Sequence, residues 1–69
     1  MKTEYKDFRL IENPSGFTLI YKHDNTEMGK LYYHWPIDKY VFEPFAGWLL
    51  SKEYLLNIVN ALNQLEIER

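Results

Sequence analysis

A small α+β domain is the fold this 69-residue sequence predicts: an antiparallel four-stranded β-meander with one C-terminal α-helix packed on one face. Three observations point to it. Four short segments rich in aromatic and β-branched residues, between residues 5 and 43, are separated by turn signals. From Ser51 onward the apolar spacing changes from two to three and four. The three prolines and three glycines fall at the intervening turns and leave no linker, so 1–69 reads as a single domain.

In YKDFRLIEN (5–13), Phe8 and Leu10 lie on one side and Arg9 on the other, the alternation of a strand over 5–12. NPSG (13–16) follows, with Pro14 suited to the first central position of a turn and Gly16 able to take positive φ. FTLIYK (17–22) then pairs back as a hairpin, with Phe17, Leu19 and Tyr21 on one face and Thr18, Ile20 and Lys22 on the other. HDNTEMG (23–29) is polar and ends in glycine, which predicts a longer loop. KLYYHW (30–35) is the third strand, PIDK (36–39) a turn, and YVFE (40–43) a fourth strand stopped by Pro44. Ser51 caps a helix over about 51–66, in which Leu55, Ile58, Val59, Leu62 and Leu65 form the apolar stripe. That stripe is expected to pack on Phe17, Leu19, Tyr33 and Trp35, with Glu53, Asn57, Asn60 and Gln64 solvated. FAGWLL (45–50) is too apolar for a free loop, which places Trp48 and Leu49 over the edge of the core.

A domain this small buries only about 60% of the surface of its unfolded chain. Hydrophobic residues at 46% and aromatics at 17% compensate, because each enclosed ring buries roughly 150–250 Å². There are no cysteines, which excludes a disulfide scaffold, a thiolate metal site and a cysteine nucleophile. The first ten residues hold no apolar signal region, and no run approaches the roughly 18 apolar residues of a membrane helix, so a cytoplasmic location is expected. Net charge is −2, with eight scattered basic residues answered by ten acids. Without a basic stripe, generic DNA affinity is expected to be weaker than about 10⁻⁵ M at physiological salt.

Residues 30–45 hold six rings: Tyr32, Tyr33, Trp35, Tyr40, Phe42 and Phe45. One helix covers one sheet face, so half of these rings serve the core. The other half, with Tyr32 and His34 at its centre, is left on an open face beside Arg9, Ile20, Lys22 and Val41. Trp48 or Phe45 folding back, a protein partner, or a nucleic acid stacked on the rings are the three ways to cover it. Glu12, Asp38 and Glu43 flank the rings and count against nucleic acid. The expected partner-binding residues are Tyr32, His34, Ile20, Lys22, Arg9 and Trp48. Because an isolated chain of this size is marginally stable, pairing of two such faces in a homodimer is also expected. His23, Asp24 and His34 are the only set to weigh for a metal or for acid/base work. Three or four convergent ligands are needed, so no metal, cofactor or catalytic residue is expected.

YVFEPF (40–45), with its Y-x-F-x-P element Tyr40, Phe42 and Pro44, resembles a loose group of short, mostly uncharacterised phage and prophage proteins. The likeness extends to Gly29, Lys30 and Leu31 at a strand start and to Leu55, Ile58, Leu62 and Leu65 in the terminal helix, over roughly residues 29–65. It implies a viral or mobile-element setting and transfers no catalytic residue. The function expected from this is a small non-catalytic protein-binding module that modulates or inhibits a host or defence protein in the host cytoplasm. The alternatives are a nucleic-acid-binding accessory protein and a small enzyme subunit.

Overall fold

Asn13 begins the reversal between the first two strands. Its side-chain oxygen accepts the Ser15 amide at 3.0 Å, Pro14 fixes the backbone of the next position, and Gly16 takes φ 153°. The computed structural model describes residues 1–68. Around this turn β1 (Phe8–Asn13) and β2 (Gly16–Tyr21) form a hairpin, followed by β3 (Glu27–His34), β4 (Lys39–Pro44) and a single helix, α1 (Lys52–Glu68). The strands are antiparallel and lie in chain order, β1-β2-β3-β4, as one open sheet.

Register decides which side chains share a face. Leu10 lies opposite Leu19, Phe8 opposite Tyr21, Phe17 opposite Leu31, and Leu31 opposite Phe42. This row faces α1, and Phe8, Leu10, Leu19 and Leu31 are buried with Ile58, Ala61 and Leu65 of the helix. Tyr5 and Met28 complete the core, and each enters by a local irregularity.

Met28 enters through a bulge. Leu19 faces Gly29 while Ile20 faces Glu27, so Met28 is an extra residue on β3, and it is fully buried. The expected loop over 23–29 is therefore too long, because β3 begins at Glu27. Neither the short polar run nor the alternation announces a bulge, which breaks alternation by construction. Gly29 is required beside it: a Cβ there would stand 2.5 Å from the Glu43 carbonyl oxygen.

Tyr5 enters by a bend. The first strand begins at Phe8, not at residue 5, because the chain folds back at Lys6 and Asp7 along the outer edge of β1. The Leu10 amide donates to the Thr3 carbonyl at 2.8 Å and the Tyr5 amide to the Phe8 carbonyl at 2.9 Å. Tyr5 stacks on Phe8 at 4.8 Å between ring centres, which closes the core and covers an edge that would otherwise be an open ladder. The same segment reaches α1, where the Lys2 amide donates to Gln64 Oε1 at 2.8 Å.

The helix begins as its cap predicts, with Ser51 Oγ accepting the Tyr54 amide at 3.1 Å. Its buried face, however, is rotated from the expected stripe. Ile58, Ala61 and Leu65 are buried and Tyr54 and Leu62 packed against them, but Leu55 is 46% exposed and Val59 49%. Two apolar rows run along this helix about 100° apart, the rotation of a single residue. Ala61 belongs to the row that faces inward, where a small side chain lets the helix approach the sheet. Ile58, Leu62 and Leu65 of the expected stripe do face the core, while Leu55 and Val59 do not and Ala61 takes their place. The solvated face is also narrower than expected, since Asn57 and Gln64 are half-buried.

Trp35, expected in the core, is 79% exposed. The ladder ends at His34, opposite Lys39, and Trp35–Ile37 form one 3-10 turn. Asp38 closes that turn in the left-handed region at φ 55°, its amide donating to the Trp35 carbonyl at 3.1 Å. Trp48 lies over the core edge as expected, whereas Leu49 is 89% exposed. Among the described residues, no helix is long and apolar enough to cross a membrane.

In the first turn of the helix, Tyr54 and Tyr21 are joined by a hydrogen bond that pushes the Tyr54 hydroxyl up to about 12, with burial and the Asp7 charge adding to it. The unfolded tyrosine titrates near 10. Between these values the folded chain keeps a proton that the unfolded chain has lost, so stability falls as pH rises through that window. Thermal unfolding measured from pH 9 to pH 12 should show this loss, and Tyr54→Phe should flatten it. A profile identical in both proteins would reject the assignment.

Candidate interaction surface

The sheet face turned away from α1 is set by the same register. Arg9 lies opposite Ile20, Ile11 opposite Thr18, Tyr32 opposite Val41, Lys30 opposite Glu43, and His34 opposite Lys39. Arg9, Ile20, Tyr32, His34 and Val41 therefore share one face, as the alternation predicts. The face is tied together by its own polar groups. The Tyr32 hydroxyl donates to Glu43 Oε1 at 2.9 Å, which raises the Tyr32 hydroxyl above its ordinary value, and the Lys30 ammonium lies 5.5 Å from the Tyr32 ring centre. His34 meets the edge of Tyr32 at 6.1 Å, and an Arg9 guanidinium nitrogen donates to Asn25 Oδ1 at 3.0 Å. These contacts leave Arg9, Ile20, Tyr32 and Val41 half-buried and His34 exposed.

Lys22 and Trp48 stand apart from this group. Lys22 follows the end of β2, where its ammonium is held 2.8 Å from Glu4. Trp48 lies on the helix side: its ring meets Tyr21 edge-on at 5.2 Å and its indole N–H donates to the Glu27 carbonyl at 3.0 Å. It does not fold back over the open face.

A feature the alternation did not announce is the tip of the β3–β4 hairpin. β2 begins at Gly16, opposite Tyr32, yet β3 and β4 continue through the pairs Tyr33–Tyr40 and His34–Lys39. The tip thus stands beyond the β1–β2 turn, and it presents Trp35 at 79% and Ile37 at 54% exposure. It is also fixed. Tyr33 meets Tyr40 edge-on at 5.4 Å, the Tyr33 hydroxyl donates to the Asp38 carboxylate, and Pro36 restricts the backbone between the two apolar side chains. The signal in the sequence was WPID itself, a turn with apolar residues at two positions where polar ones are usual.

On the helix side, Phe17, Tyr40 and Leu65 line a recess of about 350 Å³ together with Met1, Thr3, Glu12 and Glu68. The Met1 ammonium lies 3.6 Å from Glu68 there. The histidines go to separate partners. His23 lies 3.3 Å from Asp7, while His34 sits at the far end of β3 beside Tyr32. Among the described residues, no three side chains of His, Asp or Glu gather as a metal site.

No family model, curated protein or solved structure matches this chain.

Proposed function

We propose that this chain acts by binding a protein, through a contact centred on Trp35 and Ile37 at the hairpin tip and extending over His34 and Tyr32. The observation that carries this reading is the 79% exposure of Trp35 on a fixed turn. Tryptophan and tyrosine are enriched at binding hot spots, and a ring already held in place loses little freedom on association. The resemblance to phage proteins supports a host or defence protein as the partner, whose activity the chain would modulate or inhibit without catalysis of its own.

The test compares the tagged wild type with a Trp35→Ala, Ile37→Ser double variant in recovery of a stoichiometric partner from a bacterial lysate. Both side chains are exposed, so thermal unfolding should be unchanged. Affinity for the recovered partner should fall by roughly 30-fold or more, about 2 kcal/mol. Equal affinity in the two proteins would remove the tip from the contact.

A second reading rests on the charge of the open face. Over the whole open face Arg9, Lys30 and Lys39 outnumber Glu27 and Glu43, on a chain whose net charge is −2. That is a weak basic surface beside a ring, the two elements a single-strand binder combines. The excess of one charge leaves generic DNA affinity expected at weaker than about 10⁻⁵ M. Sub-micromolar binding that falls steeply with salt would promote the nucleic-acid reading over the protein one.

A further inference from the structure

The exposed apolar side chains are not spread evenly. Leu55, Leu56 and Val59, at 46%, 55% and 49% exposure, lie on the outward side of α1, with Leu49 just before the helix and Ile67 near its end exposed further still. At 100° per residue, Lys52, Leu55, Leu56, Val59, Asn63 and Glu66 fall within an arc of about 100°. The buried row Ile58, Ala61 and Leu65 lies to one side of that arc. The outward arc has a charge at each end and an apolar centre. Lys52 begins it and Glu66 ends it, both exposed, and neither takes part in an ion pair among the described residues.

We infer that α1 pairs with α1 of a second copy of this chain, antiparallel and with the two-fold axis at Val59. In that arrangement residues equally distant from Val59 on either side face one another. Lys52 and Glu66 are both seven residues away, so each end of the pair brings a lysine to a glutamate of the other copy. The two Val59 side chains meet on the axis, with Leu55, Leu56 and Asn63 of each copy flanking it. Ile67 comes to the residues just before the partner's helix, where Leu49 stands bare. A parallel pair would set lysine on lysine and glutamate on glutamate, and it would align the helix dipoles. The charge pattern therefore selects both the occupant and its direction. A self-complementary patch of this kind is the requirement of a two-fold contact. The open sheet face meets it less well, since Ile20 and Tyr32 are already half-buried among their neighbours.

This inference is independent of the partner contact at Trp35, and its test leaves that residue alone. Sedimentation equilibrium up to about 100 μM should show a wild type of twice 8.4 kDa. Val59→Glu and, farther from the core, Leu56→Glu should each give a monomer with unchanged circular dichroism. Lys52→Glu should weaken the dimer about tenfold at low salt, and adding Glu66→Lys to it should restore wild-type affinity. Because the chain has no cysteine, Val59→Cys should cross-link to itself under mild oxidation far faster than Ser15→Cys at the β1–β2 turn. A monomeric wild type overturns the proposal. So does a dimer that survives both glutamate variants, or a double charge exchange that fails to restore binding. A dimer lost in a folded Tyr32→Asp, Ile20→Asp variant would move the contact to the sheet face and overturn it as well.

Discussion

Phe8→Ala is expected to leave this chain largely unfolded at room temperature. Phe8 is fully buried, lies opposite Tyr21 across the hairpin, and stacks on Tyr5 at 4.8 Å. Truncation removes the transfer free energy of a whole ring and leaves a void between the sheet and the N-terminal segment, at a cost of about 3–5 kcal/mol. A 69-residue domain has a total stability of roughly 3–10 kcal/mol, so the loss consumes much or all of it. The cost should also reach beyond the site, because Tyr5 is held in the core by that stack and carries the backbone that covers the edge of β1. Urea unfolding followed by circular dichroism measures the effect, with Phe8→Leu as a milder comparison expected at about 1–2 kcal/mol. A Phe8→Ala protein with an unchanged midpoint would show that the stack does not hold the N-terminal segment.

Gly16→Ala should be nearly as damaging, for a reason unrelated to burial of apolar surface. A Cβ on Gly16 would stand 2.2 Å from the Leu31 carbonyl oxygen and 3.1 Å from the Tyr32 Cα, and both are backbone atoms that cannot swing aside. Gly16 also has φ 153°, a conformation that side-chain-bearing residues rarely adopt. The β2–β3 ladder must part at its end or the turn must change its type, and either loses hydrogen bonds at the centre of the sheet. A cost of about 2–4 kcal/mol is expected from strain and broken ladder together. Gly47→Ala provides the comparison, since Gly47 has φ 91° but nothing within 4 Å of the added methyl. It should cost only about 1–2 kcal/mol of backbone strain. Equal midpoints for the two variants would mean that the clash at Gly16 is relieved without loss.

The two sites differ in how far the sequence alone revealed them. Gly16 is legible because it follows Asn-Pro-Ser, and turn chemistry is local: each residue acts on the backbone within a few positions of itself. The same holds for the Ser51 cap and for the strands whose side chains alternate. The open face bearing Arg9, Ile20, Tyr32 and His34 was likewise available, because period two assigns faces without knowledge of what covers them. Phe8 was recognisable as a core residue, but its partner Tyr5 was not, since the bend at Lys6 and Asp7 carries no glycine or proline to announce it.

The sequence by itself determined the class of fold, the order of elements, the first turn, the helix cap and the composition of the open sheet face. Each of these follows from short-range backbone preference or from strict alternation. Only the tertiary structure decided which of two apolar rows on α1 turns inward, because both rows satisfy the helical period and the choice depends on how closely Ala61 lets the helix approach the sheet. It alone placed Met28 in the core, through a bulge that alternation cannot express. It alone set Trp35 outside, because the length of the β3–β4 ladder beyond β2 is fixed by pairing between strands and not by any residue read singly. The candidate contact surfaces, the hairpin tip and the outward row of α1, are both products of that second kind of decision. Their exposure is what remains after the rest of the chain has chosen its partners.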